Sequence, residues 1–216
     1  MELLENCLFI NLDKRVDRLE HVTKQLEMMG INGERFKAVE TKDGAIGCTM
    51  SHIKCLELAK ARGYEQVFIC EDDIEFTNKE VFLKSLDKFY TEGPVWDVCI
   101  LGGNNGPPYS VYSDYCVRVF NCQTTTGYIV KKHYYDVLID NFRESVRNLI
   151  REPENKKMYA LDVYWKRLQQ QNLWYFIVPI TITQVESYSD IENRVTDYRW
   201  LMMDLEKKWL LQQMKK

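Results

Sequence analysis

Val67-Phe-Ile-Cys-Glu-Asp-Asp73 is an apolar run that stops on three consecutive carboxylates. Its first four residues are β-branched, aromatic or thiol side chains, the composition of a strand buried on both faces. Three adjacent like charges repel, and partial burial sharpens the repulsion, so the arrangement gains little unless a cation shares it. One answer is a hard divalent ion such as Mn²⁺ or Mg²⁺, which takes oxygen ligands and leaves positions for substrate phosphates. The other is a solvated acidic turn. If the run is an interior strand of an α/β sheet, its carboxyl end is where ligands bind, and Glu71, Asp72 and Asp73 form a metal–diphosphate site.

Strand and helix patterns alternate around this run. Positions 7–12 read as a short apolar strand. Val16, Leu19, Val22, Leu26 and Met29 then recur on one helical face, which Gly30 closes as a left-handed cap. Positions 35–39 predict a second strand and 41–47 a polar loop. Met50, Ile53, Leu56, Leu58 and Ala59 mark a second helix running to Gly63. Downstream of the acidic strand, Thr77-Asn-Lys-Glu80 has the form of a capping box opening a helix with Val81, Leu86 and Phe89. Positions 98–101 give a fourth strand, and Gly102-Gly-Asn-Asn-Gly-Pro-Pro108 an irregular loop at the mouth of the site. Positions 115–120 and 125–130 alternate as strands and are paired as antiparallel neighbours. A helix over 132–150, another opening near Asp162, a strand over 174–178 and a polar-amphipathic tail complete the chain.

The predicted fold class is therefore α/β, a mixed and mostly parallel sheet with helices on both faces. Right-handed crossovers bring Asn11, the Glu71-Asp-Asp73 cluster and the 102–108 loop to one edge. The chain reads as a single domain over 1–216, with 193–216 a helical extension.

Its 216 residues and 45% hydrophobic content suffice for one substantial core. A net charge of −3 without a long basic run argues against nucleic acid as a partner. No apolar stretch nears the roughly 20 residues of a membrane span, and no signal-peptide pattern opens the chain. A cytoplasmic setting, bacterial or viral, is expected. The seven cysteines are odd in number, and Cys48, Cys55, Cys70 and Cys99 sit in apolar periodic segments, as core thiols do. There is no Cys-x-x-Cys, and His21, His52 and His133 show neither paired nor metal-ligand spacing, so zinc is not expected. No cysteine has an identifiable histidine and carboxylate to activate it as a nucleophile. Oxygen chemistry remains.

Lys14, Arg15 and Arg18 follow the end of the first strand. That placement suits nucleotide phosphates near a helix N-terminus, and equally an ordinary charged first turn. Gly44-Ala-Ile-Gly-Cys-Thr-Met-Ser-His52 joins a loop to a helix, so that Ser51 and His52 either face a ligand or serve as cap and core. Taken in order, these segments resemble glycosyltransferase family 25, the family of bacterial lipopolysaccharide sugar transferases and collagen galactosyltransferases. Four blocks carry the resemblance: Ile10-Asn-Leu-Asp-Lys-Arg15 with Asp17-Arg18, Gly44-x-x-Gly-Cys-x-x-Ser-His52, Glu71-Asp-Asp73, and Gln184-x-x-Glu-Ser-Tyr-Ser-Asp-Ile191. Thr125-Thr-Gly-Tyr128 also looks like the family's small-residue strand. The match spans position 7 to about 192.

The resemblance implies a GT-A-like (Rossmann-like) fold and metal-dependent transfer of a hexose, galactose or glucose, from a UDP-sugar to a hydroxyl acceptor on a glycan or a hydroxylysine-type protein. Carried over residue by residue, Asp73 matches the direct metal ligand, with Glu71 beside it and Glu71 or Asp72 toward the ribose or a bound water. Asn11 and Arg15 fall by the nucleotide, Ser51 and His52 by the donor sugar. Many transferases of this fold complete the metal shell with a late histidine. No histidine follows His133 here, and Asp190 is the substitute candidate. Members of the family mainly invert the anomeric centre, which requires a base for the acceptor hydroxyl. Asp162, just before a helical segment over 163–171, suits that role and equally that of an N-cap. Two alternatives stand beside this reading. One is a sugar nucleotidyltransferase, against which the lack of a Gly-rich phosphate loop near the N-terminus counts. The other is an inactive nucleotide-sugar-binding homologue.

Overall fold

The computed structural model describes residues 2–192 and 194–208. In chain order these form β1 (Cys7–Asn11), α1 (Val16–Met29), β2 (Gly33–Lys37), α2 (Gly44–Ala61), β3 (Gln66–Glu71), β4 (Ile74–Phe76), α3 (Lys79–Glu92), β5 (Val98–Asn105), β6 (Tyr109–Val111), β7 (Cys116–Val119) and β8 (Cys122–Lys131). Next come α4 (Tyr135–Arg151) and three single turns of helix, α5 (Lys156–Tyr159), α6 (Leu161–Tyr164) and α7 (Lys166–Gln169). The described chain continues with β9 (Trp174–Ile177), β10 (Ile182–Gln184), β11 (Ser187–Ser189), β12 (Arg194–Thr196) and α8 (Arg199–Met202).

One eight-stranded sheet, in the order β2-β1-β3-β8-β5-β9-β7-β6, organises the molecule. β2, β1, β3, β5, β9 and β6 run one way, β8 and β7 the other. Its inner strands are continuous apolar runs because both faces are covered. Side chains alternate between two cores. Leu8, Ile10, Val67, Ile69, Val98, Ile100, Tyr128 and Val130 pack with α2 and α4. Cys7, Phe9, Phe68, Cys70, Cys99, Leu101 and Ile129 pack with α1 and α3. Each fully buried Leu, Ile, Val or Phe contributes about 1.5–3 kcal/mol, against the large entropic cost of ordering the chain. The acidic run is thus an interior strand, as its composition predicts. Gly30 ends α1 at φ 72°.

Several local expectations are corrected. α2 begins at Gly44 inside the expected 41–47 loop, because Asp43 accepts the Ala45 N–H at 2.9 Å and caps it. α3 is capped by Asn78, whose side chain accepts from Val81 N, while the Thr77 hydroxyl bonds Thr181 O. Positions 102–105 are not loop but the end of β5. A Cβ on Gly102 would lie 2.4 Å from Ile182 Cγ2, so close packing of β10 on β5, not a turn, demands the glycine. β7 and β8 are not neighbours: β7 pairs with β9, and β8 sits between β3 and β5. The helix expected over 163–171 breaks at Trp165, whose buried indole N–H donates to Cys122 O. Over its described part, the extension expected at 193–216 holds β12, paired antiparallel with β11, and the single turn α8. Positions 209–216 lie outside the described residues.

Candidate active site

β1 and β3 are parallel neighbours that end together, with Ile10 opposite Glu71. Alternation then separates the carboxylates. Val67 and Ile69 face the α2 layer, so Glu71 does too. Beyond the strand end, the Asp72-Asp73 turn meets α1. Arg18 Nη1 lies 2.9 Å from Asp72 Oδ1 and 3.0 Å from Asp73 Oδ2, and Asn11, the last residue of β1, donates to Asp72 Oδ2 at 2.7 Å. Glu71 Oε1 accepts from Thr125 Oγ1 at 2.7 Å and is 3.4 Å from His52 Nε2. Gln184, on β10, reaches both sides, with Nε2 3.2 Å from Asp73 Oδ1 and 3.4 Å from Glu71 Oε2.

The three acids do not titrate alike. Burial pushes Asp73 up to about 7, the charge of Glu71 adds to that, and Arg18 opposes it. Asp72 is also raised by burial, against Arg18 and Asn11. Burial acts upward on Glu71 as well, but hydrogen bonding and charge from His52, with Thr125 and Arg18, hold it below the usual carboxylate range.

A cavity of about 590 Å³ opens on this cluster, lined also by Asn104, Thr124 and Asp162. Asp162 is not a helix cap. Position 160 holds the cap of α6, and Asp162 Oδ2 accepts the Thr124 N–H at 2.9 Å. Thr124 stands at φ 75°, a conformation a β-branched residue rarely takes and one that costs of order 1–3 kcal/mol. That strain aims its N–H at Asp162. Burial raises the Asp162 carboxyl, with the Thr124 hydrogen bond opposing.

The Gly44–His52 block forms the first turns of α2. A Cβ on Gly47 would lie 2.5 Å from Val39 O, so only glycine lets the helix pass so close to that chain. Ser51 Oγ accepts from Val39 N and donates to Gly47 O, each at 2.8 Å, which commits the hydroxyl to backbone. His52 is fully buried, and its Nδ1 is 2.8 Å from the Tyr128 hydroxyl. Both residues line the cavity.

Arg15 and Asp190 are brought together, at 2.7 Å, but not onto the acidic turn. Arg15 also binds Asp17 and Tyr188 O, and Asp190 lies 3.4 Å from Lys14. The late residue that does reach the carboxylates is Gln184. It opens the Gln184–Ile191 block, and its sequence signal is weak because an amide, unlike a late histidine or carboxylate, does not mark a site of clustered acids. Arg18 was visible as one of three cations, but which of them faces the turn depends on helix phase. Thr124 carried no sequence signal, since positive φ at threonine has no compositional mark.

Residues 42–98 match the model of glycosyltransferase family 25 (LPS biosynthesis protein). A curated Glycosyltransferase 25 family member from Anopheles gambiae is 22% identical over 196 residues, 74% of this chain and 31% of that one. The chain thus spans about a third of that relative's length. Among solved structures, a STIV protein aligns over 92% of this chain and 94% of its own, at TM-score 0.48 and 15% identity. A glycosyltransferase involved in glycosylation of the major capsid of PBCV-1 aligns over 80% and 94%, at TM-score 0.44 and 11% identity. A Drosophila beta-1,4-galactosyltransferase 7 mutant in complex with manganese, UDP-Gal and xylobiose aligns over 89% and 75%, at TM-score 0.44 and 10% identity. Among the described residues, no helix is long and apolar enough to cross a membrane. The family match holds the Gly44–His52 and Glu71–Asp73 blocks, and with the insect relative it supports a likeness of this chain to the glycosyltransferases of family 25.

Proposed function

We propose that this chain is a metal-dependent glycosyltransferase of GT-A-like fold that moves a hexose, galactose or glucose, from a UDP-sugar to a hydroxyl acceptor on a glycan or a hydroxylysine-type protein, with inversion. The observation that supports it is a cavity ending on two buried aspartates with raised pKa that share one guanidinium. On its aspartate side this pocket is short of positive charge, and the donors there are oxygens of the kind Mn²⁺ or Mg²⁺ takes. Asp73 and Glu71 are the residues that would hold the ion. Gln184 supports them where Asp190 was expected. When bound, the ion neutralises charge that develops on the diphosphate leaving group.

The chain's own residues supply the rest. Arg15, in the cavity wall, borders the nucleotide and is held by Asp17 and Asp190, while Asn11, buried beside it, acts through its hydrogen bond to Asp72. His52, fixed by Tyr128, fixes Glu71 in turn. Asp162 takes the acceptor's hydroxyl proton on Oδ1, the oxygen not used by Thr124. Its raised pKa brings the carboxylate nearer to the basicity that proton transfer requires. The donor and the hydroxyl acceptor are the partners of this reading, with no nucleic acid among them.

A hydrolysis screen across UDP-sugars, with Mn²⁺ present or chelated, tests the proposal. Free UDP from one donor, only with the ion, is expected. Pyrophosphate as the product, or UDP release indifferent to chelation, overturns it.

A further inference from the structure

We infer that Cys48, His52 and Glu71 form a second cation site, for a thiophilic divalent ion of the zinc class, in the wall of the same cavity. Cys48 and His52 are four residues apart on α2 and share one face of the helix. Glu71 meets them from the end of β3. One ligand atom from each, a sulfur, a ring nitrogen and a carboxylate oxygen, lies within 4.8 Å of the others. Glu71 Oε1 is 3.7 Å from Cys48 Sγ and 3.4 Å from His52 Nε2. Around tetrahedral zinc, with Zn–S about 2.3 Å and Zn–N or Zn–O about 2.0–2.2 Å, neighbouring ligand atoms stand about 3.3–3.8 Å apart. Both separations fall in that range, and the third, between Cys48 Sγ and His52 Nε2, lies within 4.8 Å, so binding has to draw these two side chains at most about an ångström closer.

Two further observations favour a ligand here. His52 Nδ1 is engaged by the buried Tyr128 hydroxyl at 2.8 Å, which orients the ring and leaves Nε2 toward the cluster. Metal-bound histidines are commonly held this way by an outer partner. All three side chains also line the cavity, so a fourth coordination position faces open space. Donor type separates this site from the aspartate side. A thiolate and an imidazole select a softer cation than carboxylates do, and on binding the Cys48 thiol gives its proton to solvent. Glu71 is shared, with Oε1 toward Cys48 and His52 of α2 and Oε2 toward Gln184. Sequence spacing gave no warning, because Cys-x-x-x-His on one helical turn lacks the paired spacing by which zinc sites are usually sought.

Cobalt(II) titration of the whole chain without nucleotide tests the inference independently of any transferase activity. One equivalent should produce a thiolate-to-cobalt charge-transfer band that zinc displaces. Cys48→Ser should lose the band. Tyr128→Phe should keep it with affinity weakened by about 10–100-fold. Asp73→Asn should leave it unchanged. No band in the parent, or a band that survives Cys48→Ser, overturns the site. Should Cys48→Ser not fold, alkylation of the parent followed by peptide mapping decides: protection of Cys48 by zinc supports the site, and an equal labelling rate with and without zinc overturns it.

Discussion

On the α2 side of the sheet, Glu71 accepts from Thr125, faces His52, and stays below the usual carboxylate range. On the α1 side, Asp72 and Asp73 share a single guanidinium, and burial pushes Asp73 up to about 7. The two regions are adjacent in sequence. They diverge because the strand ends at Glu71, so alternation fixes one carboxylate in a prepared hydrogen-bond pocket while the turn carries the other two against α1. Three equal acids in the sequence become one settled anion and a pair still short of positive charge. A hard cation gains most on the aspartate side.

The largest expected effect is loss of function on that side. Asp73→Ala should abolish transfer and all metal-dependent affinity for UDP, whereas Glu71→Gln should retain measurable UDP affinity in Mn²⁺. Calorimetry in Mn²⁺ and in EDTA compares the two, and the reverse ranking would break the contrast. Next in size is Asp162→Asn, expected to reduce turnover by about 10²–10⁴-fold with UDP affinity nearly unchanged. The amide oxygen still accepts the Thr124 N–H, so the fold survives. Near-normal turnover would leave Asp162 only as the partner of a strained backbone.

The legible part of this molecule is the part whose burial follows the period of its own backbone. β1, β3 and the start of β5 announce themselves because burial on both faces demands unbroken apolar runs, and α1 because one face is buried and the other is not. The same logic placed Glu71, Asp72, Asp73 and Asn11 together. Contacts made by distant segments were illegible. Gly102 in a strand is explained only by Ile182, Gly47 only by Val39, and the Asp162 acceptor role only by Thr124. Arg18 and Gln184 lie within the quoted blocks, yet the family resemblance put Arg15 and Asp190 ahead of them. Which side chain of an amphipathic first turn points inward depends on the turn it meets.

The two sides should also differ in the sign of their pH dependence. The folded value of Asp73 lies above its ordinary 3.8, so between 3.8 and about 7 the folded chain holds a proton that the unfolded chain has released. Its contribution to stability is complete below 3.8 and is lost as pH rises to about 7. Metal-free Asp73→Asn should therefore be more stable than the parent at pH of about 8, by about 1–4 kcal/mol at ~1.4 kcal/mol per unit, and the gain should vanish toward acid. Glu71 is lowered, so its contribution is present at neutral pH and falls as pH drops through the folded value. Glu71→Gln should cost stability at pH of about 8. Denaturant melts in EDTA at two pH values read both, and equal signs would collapse the distinction.

The smallest expected effect concerns positions 184–191, expected to close over the bound donor instead of belonging to the rigid core. The segment is half anchored. Gln184 pairs with Ile74 across β10 and β4, and Val185 N–H donates to Asp73 O at 2.9 Å. Beyond that, it leans on the cations of α1: Arg18 Nη2 donates to Ser187 Oγ at 2.6 Å, and Arg15 Nη1 to Tyr188 O at 2.9 Å. Among the described residues, β11 pairs only with β12, outside the main sheet. A two-stranded ribbon outside the main sheet is marginally stable by itself, so this end is expected to open more readily than β3. Nucleotide and Mn²⁺ bound together would add partners for the polar groups of the segment beside the arginines that already hold it, so amide protection over 185–191 should rise while β3 stays unchanged. The rise should be absent with either component alone. Equal exchange in all states would make 184–191 a fixed wall of the cavity, with Asp190 serving only to hold Arg15.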